Sequence, residues 1–290
     1  MPTGFYDLLL TDRVSAEIDR SVAKTRPLDI TEGARLAEVL QRQLANVLND
    51  LVDGESLQTQ LELVNGLLVE LRRRLAPSDA EVLELIDSPP SVLTSVLRNG
   101  FHHEPPQTGL TAPWLFTAGK GTPSLLSEIR RELSAAEQVD ILVSFITVSG
   151  VRKLRDVLTR FTAPGADGVA PLKIRVLTTT YIGATEAAAV DELARLAGCE
   201  VRISLDGRRT RLHAKAWIFQ RATGFGSAYV GSANLTGAAL AGGLEWTVKF
   251  TERMQGELFA RARAHFDTLW EDPEFQHYDP KNEEHRQALD

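Results

Sequence analysis

A histidine and a lysine, His213 and Lys215, stand two residues apart in the run RLHAKAWIFQ (211–220). Period-two alternation marks the run as a strand. Leu212, Ala214, Ala216 and Ile218 share one face, and His213, Lys215, Trp217 and Phe219 share the other. An imidazole that exchanges protons near neutral pH therefore lies beside an ammonium charge, a pair suited to a substrate carrying negative charge. A second predicted strand ends in Gly-Ser-Ala-Asn (231–234), which brings the hydroxyl of Ser232 and the amide of Asn234. Glu245 follows eleven residues after Asn234, in GGLEWTVKF. These five side chains come from three consecutive predicted strands. Neighbouring strands lie about 4.8 Å apart, so the five can meet at one end of a sheet.

The elements that must position them alternate. From about residue 110 the pattern predicts strands at APWLFT, VDILVSFI (139–146), LKIRVLTTTY (172–181) and CEVRISL (199–205), then LHAKAWIFQ, SAYVGSA and LEWTVKF. Helices are predicted over 124–137, 151–161, 185–198 and 253–272. Such alternation implies an α/β layer fold with a mostly parallel sheet, antiparallel where the last strands follow one another through short connections. Residues 1 to about 105 read as a smaller all-helical region for dimerisation or recognition. Apolar residues recur at helical spacing over 30–51, with Thr31 as the expected cap, and over 55–75, where Arg72, Arg73 and Arg74 suit a helix C-terminus. Short helices are expected near 79–87 and 91–98, a Pro- and Gly-rich linker at 102–109, the catalytic domain over 110–275 and a C-terminal tail over 276–290.

Composition narrows the classes. The chain has 290 residues, 43% hydrophobic and 24% charged, ordinary values for a globular protein. No apolar run approaches the length of a transmembrane helix, and the N-terminus has no basic segment or cleavage site of a secretion signal. The expected location is the cytoplasm, without a membrane partner. The single cysteine, Cys199, excludes an internal disulfide and a cysteine-rich zinc site. Adjacent His102 and His103 lack further ligands, and neither a metal nor a cofactor is expected. A net charge of −7 argues against a wholly basic nucleic-acid coat. It leaves room for the local basic run RRTRLHAK (208–215), where Arg211 is a candidate for substrate binding.

HAK at 213–215, GSAN at 231–234 and the later Glu245 together resemble the phospholipase D superfamily, whose signature is H-x-K-x4-D-x6-G-S-x-N. The resemblance covers about 110–272. It implies a phospholipase D-like mixed sheet flanked by helices, and a metal-independent phosphodiesterase or nuclease. In it His213 attacks phosphorus to form a phosphohistidine, while Lys215 and Asn234, assisted by Ser232, hold the phosphoryl oxygens. Glu245 resembles the glutamate of the nuclease branch that holds the catalytic histidine. A second histidine must act as general acid and base. H-x-K occurs once here, and single-motif members pair two chains, so a homodimer is implied. The segment from His213 to Trp246 also resembles the phospholipase D-like module that precedes the motor of bacterial superfamily II helicases. The chain has no G-x-x-x-x-G-K-[ST] of its own, so a helicase is a candidate partner. Two departures stand out: Gln220 occupies the aspartate position, and about four extra residues separate it from GSAN.

DNA is thus the expected substrate, in DNA processing, repair or defence. The rivals are a catalytically weak nucleic-acid-binding module of a helicase system and a phosphodiesterase acting on lipids or small molecules. Thr179 and Tyr181, after a strand's C-terminal end, are further candidates for substrate contact. Ser144 and Ser149 read as ordinary strand-end residues, Trp217 and Trp246 as core or interface. His265, His277 and His285 show no partners in the sequence.

Overall fold

The computed structural model describes residues 1, 8–52, 57–76, 83–94, 96, 104–117, 123–165, 168, 172–205 and 211–289. The chain forms two compact units, Met1–Val96 and Leu97–Asp290.

In the first unit, α1 (Asp12–Glu17) is capped by Thr11, whose hydroxyl accepts from the Val14 amide. Two long helices follow, α2 (Gly33–Val52) and α3 (Leu57–Arg74). Thr31 does not cap α2. It lies in a 3-10 turn, Ile30–Glu32, and both its amide and its hydroxyl donate to Asp29, a shorter acceptor better placed to close the turn. The arginines ending α3 are spent locally: Arg72 donates to the Leu83 carbonyl, and Arg73 and Arg74 pair with Glu70. Residues 83–94 are not helical. The Asn65 side chain bonds both backbone groups of Ile86 at 2.9 Å, holding the segment extended, and Pro89 and Pro90 cannot donate to a helix. The other residues of the two helices expected there, and His102 and His103, lie outside the described residues.

The second unit is built on one eight-stranded sheet. Its strands are β1 (Trp114–Phe116), β2 (Gln138–Val143), β3 (Lys173–Thr179), β4 (Cys199–Ser204), β5 (Lys215–Gln220), β6 (Ser227–Gly231), β7 (Thr247–Thr251) and β8 (Phe275–His277). Their spatial order is β1-β7-β6-β5-β2-β3-β4-β8. The β2–β3 and β3–β4 pairs are parallel and the other five antiparallel, so the sheet is mixed and not mostly parallel. The parallel pairs are those joined by helical crossovers, β2 to β3 and β3 to β4; β5 and β6 are joined by a short turn, which enforces antiparallel pairing.

Helices α4 (Leu125–Ala135), α5 (Val148–Thr162), α6 (Ala187–Ala194) and the short α7 (Gly237–Ala241) cover one face. There Val139, Ile141, Val176, Ile203, Trp217 and Phe219 pack against Ile129, Leu154 and Val190. The other face meets α8 (Gly256–Trp270), where Leu177, Ile218 and Phe250 pack with Phe259, Phe266 and Trp270. The residues read as a tail instead close the sheet. Phe275 of β8 and Tyr278 are buried, and the last helix, α9 (Glu283–Gln287), is followed by buried Leu289. His285 accepts from the Asp279 amide and stacks on Tyr278, and His277 lies 3.7 Å from Glu200.

A buried polar knot anchors β1's neighbourhood. Glu132 on α4 takes Arg221 at 2.5 Å, Ser227 and Tyr229 at 2.7 Å each, and the Lys249 ammonium at 3.3 Å. Lys249 also donates to Thr108 and Gly109, strapping the segment before β1 to β7. A buried carboxylate is tolerated because both cations and both hydroxyls satisfy it, and they hold its pKa low against burial. Glu128, one turn earlier, is less well matched. One oxygen accepts from the Thr108 amide, the other has no partner, and burial pushes its pKa up.

Candidate active site

Strand register brings the sequence candidates to one sheet end. Val143 at the end of β2 pairs with Lys215 at the start of β5, Ala216 with Val230, and Gly231 at the end of β6 with Thr247. The segments 144–147, 180–186, 211–214, 232–236 and 242–246 therefore share that end. Glycine is required at 231: a Cβ there would lie 2.1 Å from the Trp246 carbonyl oxygen. Gly150 is required for the same reason, with the Leu235 oxygen at 2.2 Å, so the start of α5 presses directly on the chain after Asn234.

The strand β2 ends at Val143 because the next two amides are taken by a side chain. Oδ1 of Asn234 accepts from the amides of Ser144 (3.2 Å) and Phe145 (3.1 Å). This commits the Asn234 oxygen to the fold, while its NH2 group donates to no described residue. His213 is exposed in the extended lead into β5, and its ring meets the Phe145 ring edge-on with centroids 6.5 Å apart. Lys215 is buried. Its Nζ donates to the His213 carbonyl at 2.8 Å and lies 6.0 Å from the centre of the Phe145 ring. Burial lowers the Lys215 pKa, and the charge of Glu245 opposes that shift. Phe145 thus touches both the histidine and the lysine. It went unrecognised because a phenylalanine after a buried strand gives no chemical signal in sequence.

Glu245 is held differently from the expectation. Ser232 Oγ donates to Glu245 Oε2 in a short hydrogen bond and accepts from the Trp246 amide at 3.1 Å. No hydrogen bond joins Glu245 to the His213 ring among the described residues. The lead-in places that ring against Phe145, while Glu245 sits across β6 from it. Beside Glu245 opens a cleft of about 170 Å³, walled by Phe116, Ser124, Leu125, Leu240 and Gly243.

Two further candidates separate. Thr179 is buried, its hydroxyl accepts from the Tyr181 amide, and its carbonyl accepts from Thr185, so it frames the loop. Tyr181 is half-buried in the turn Tyr181–Gly183. Arg211 is exposed beside His213; Arg208 and Arg209 lie outside the described residues. Ser149 accepts from the Gly237 amide and contacts the Thr147 hydroxyl, an N-cap arrangement. Trp217 is buried, whereas Trp246 is 62% exposed. Burial pushes the Cys199 thiol up to about 12, which removes it as a nucleophile. Among the described residues, no three His, Cys, Asp or Glu side chains converge as a metal site needs.

Gln220 stands at the opposite end of β5, about 17 Å from Lys215 at 3.3 Å per residue. Its amide donates to Asp140 at 2.5 Å, and Asp140 also takes both arms of Arg175. Gln220 is thus held by a carboxylate one strand away, at the end of the sheet opposite His213 and Lys215.

The mixed sheet, helices on both faces and loops gathered at one end form a phospholipase D-like fold. Residues 129–270, which contain all five candidates, match the family model described as "Cardiolipin synthase, PLD-like domain". No curated protein matches the chain. Among solved structures it is similar to NucT from Helicobacter pylori, at 17% identity over 58% of this chain and 99% of that one, with a TM-score of 0.43. It is also similar to Nuc, a phospholipase D family member from Salmonella typhimurium, at 18% identity over 58% and 97%, with a TM-score of 0.39. Phosphatidylserine synthase from Haemophilus influenzae aligns at 14% identity over 58% and 39%, with a TM-score of 0.41. No described helix is long and apolar enough to cross a membrane.

Proposed function

We propose that this chain is a metal-independent phosphodiesterase that cleaves DNA through a phosphohistidine at His213, in a site completed by a second chain. The supporting observation is the grouping of an exposed imidazole with two donors that the fold leaves available, the Lys215 ammonium and the Asn234 NH2 group. In the first step a ring nitrogen of neutral His213 attacks phosphorus. The P–O bond to the leaving oxygen breaks, and the imidazolium of the second chain's His213 gives that oxygen its proton. In the second step the same imidazole, now neutral, takes a proton from water. The water oxygen bonds to phosphorus, and the P–N bond breaks. Lys215 and Asn234 stabilise the charge on the phosphoryl oxygens in both steps. Glu245, fixed by Ser232, keeps Lys215 protonated in its buried setting.

Room for a second chain exists beside the site. Leu115, Val248 and Val230 lie opposite one another on β1, β7 and β6, each 41–47% exposed on a stretch that α8 leaves uncovered. In this reading the protein serves DNA processing, repair or defence beside a helicase that supplies the motor. A second reading, action on a lipid phosphodiester, is favoured by the name of the matched family and by exposed Leu244 and Trp246 flanking Glu245. One experiment separates them: the full chain is incubated in EDTA with labelled DNA, labelled RNA, a chromogenic phosphodiester and phosphatidyl vesicles. Cutting of DNA alone or foremost supports the first reading. Turnover of the vesicles alone supports the second, and binding without turnover leaves only a recognition module.

A further inference from the structure

The first unit is poorly closed on itself. It has helices of 20 and 18 residues, yet Leu61 is its one buried side chain among the described residues. On α2, Leu36, Leu40 and Val47 are 59%, 60% and 49% exposed; on α3, Leu57, Leu67 and Leu71 are 63%, 42% and 43% exposed. At about 100° per residue these fall within roughly 40° of one another on α2 and roughly 80° on α3. Each helix therefore keeps a narrow open apolar column, the spacing that knobs-into-holes packing uses. Leu44 and Leu48, on the neighbouring side of α2, are more covered. The columns are thus a second seam beyond the contact between α2 and α3.

We infer that this seam is covered by the same two helices of a second copy, forming a four-helix bundle that holds two chains together. Three features favour a copy over a different partner. Four helices are the smallest bundle in which two hairpins each close the other's open face. Gln43 stands beside the column on α2 and Gln60 within the column on α3, uncharged residues that let like meet like without repulsion. Two helices about 30 Å and 27 Å long, side by side, present on the order of 600 Å² in projection, close to the roughly 800 Å² per partner of a stable interface. The sheet patch at Leu115, Val230 and Val248 is too small to do this alone. The inference rests on the preceding reading only for its purpose: the bundle keeps a second His213 at high effective concentration.

The test is sedimentation velocity on the full chain at micromolar concentration, which needs no cleavage. Wild type is expected as a dimer. A Leu40→Glu, Val47→Glu double variant and a Leu40→Lys, Val47→Lys double variant are each expected as monomers, and mixing the two should restore a dimer of one of each. A monomeric wild type, a glutamate variant that stays dimeric, or a mixture that stays monomeric each overturns the bundle. A dimer restored by mixing that cuts no phosphodiester leaves the bundle standing and removes the catalytic reading.

Discussion

Ser232 holds Glu245: its hydroxyl donates to the carboxylate while accepting from the Trp246 amide at 3.1 Å. The two side chains therefore act as one unit across the gap between β6 and β7. Ser232→Ala and Glu245→Gln should each reduce cleavage of a labelled oligonucleotide about tenfold. Their double variant should fall little further, because groups in one network are not additive. A double variant whose loss equals the product of the singles would show that Ser232 and Glu245 work separately.

His213→Ala should abolish cleavage and leave DNA binding and the thermal transition near wild type, since the ring is exposed and lies edge-on against Phe145. Co-expression with a tagged wild-type chain checks the shared site. The isolated heterodimer should retain little turnover, whereas half of wild-type turnover would mean that each chain works alone. Activity of the wild type should persist in excess EDTA.

For Asn234 the two ends of the amide have different duties. Asn234→Asp keeps an oxygen for the Ser144 and Phe145 amides but loses the NH2 donors and adds repulsion toward phosphate. Its melting temperature should stay close to wild type while the rate falls about 100-fold or more. A rate near wild type would take Asn234 away from the phosphoryl oxygens.

Lys215 sets an alkaline limit. Burial lowers its pKa from the usual lysine value of 10.5, so the active ammonium is lost as pH rises through that lowered value, earlier than for an exposed lysine. Lys215→Arg keeps the charge, and its rate profile, though lower, should extend to higher pH. The linked stability runs the other way. A folded-state pKa below the unfolded one makes the fold gain stability between the lowered value and 10.5.

Glu128 sets a second pH dependence, read by thermal or urea unfolding. Its folded-state pKa lies above the ordinary 4.5, so the fold loses stability as pH rises from there through the raised value. Glu128→Gln imitates the protonated form. It should stabilise the protein at neutral pH by about 1 kcal/mol, the scale of an unmatched buried acceptor. The gain should vanish at acid pH; a gain independent of pH would point to packing instead.

Much of this was legible in the sequence because the relevant signals are local. Alternation over this run gave the correct faces for its apolar residues, since Trp217 and Phe219 pack to one side and Leu212, Ala216 and Ile218 to the other. What escaped was set by residues distant in the chain. The end of β2 is decided by Asn234, 90 positions later than Ser144. The place of Glu245 is decided by Ser232, not by the histidine expected for it. The tail looked polar because most of its residues are; among its described residues Tyr278 and Leu289 carry apolar contacts that fix it to the core. The helices expected in 79–98 failed where Asn65 competes for the backbone of Ile86.

The strap from Thr108 to β1 has a consequence for synthesis. Trp114 pairs with Lys249, and Lys249 ties Thr108 and Gly109 to the Glu132 knot. A ribosome adding about 5–20 residues per second delivers that lysine roughly 7–27 seconds after the tryptophan. For most of the interval Glu132 lacks both of its cations, and β6, once made, is an open edge able to pair with a neighbouring nascent chain until β7 arrives. Slow codons or stalling before position 249 would therefore lengthen the time that this edge stays open on the nascent chain.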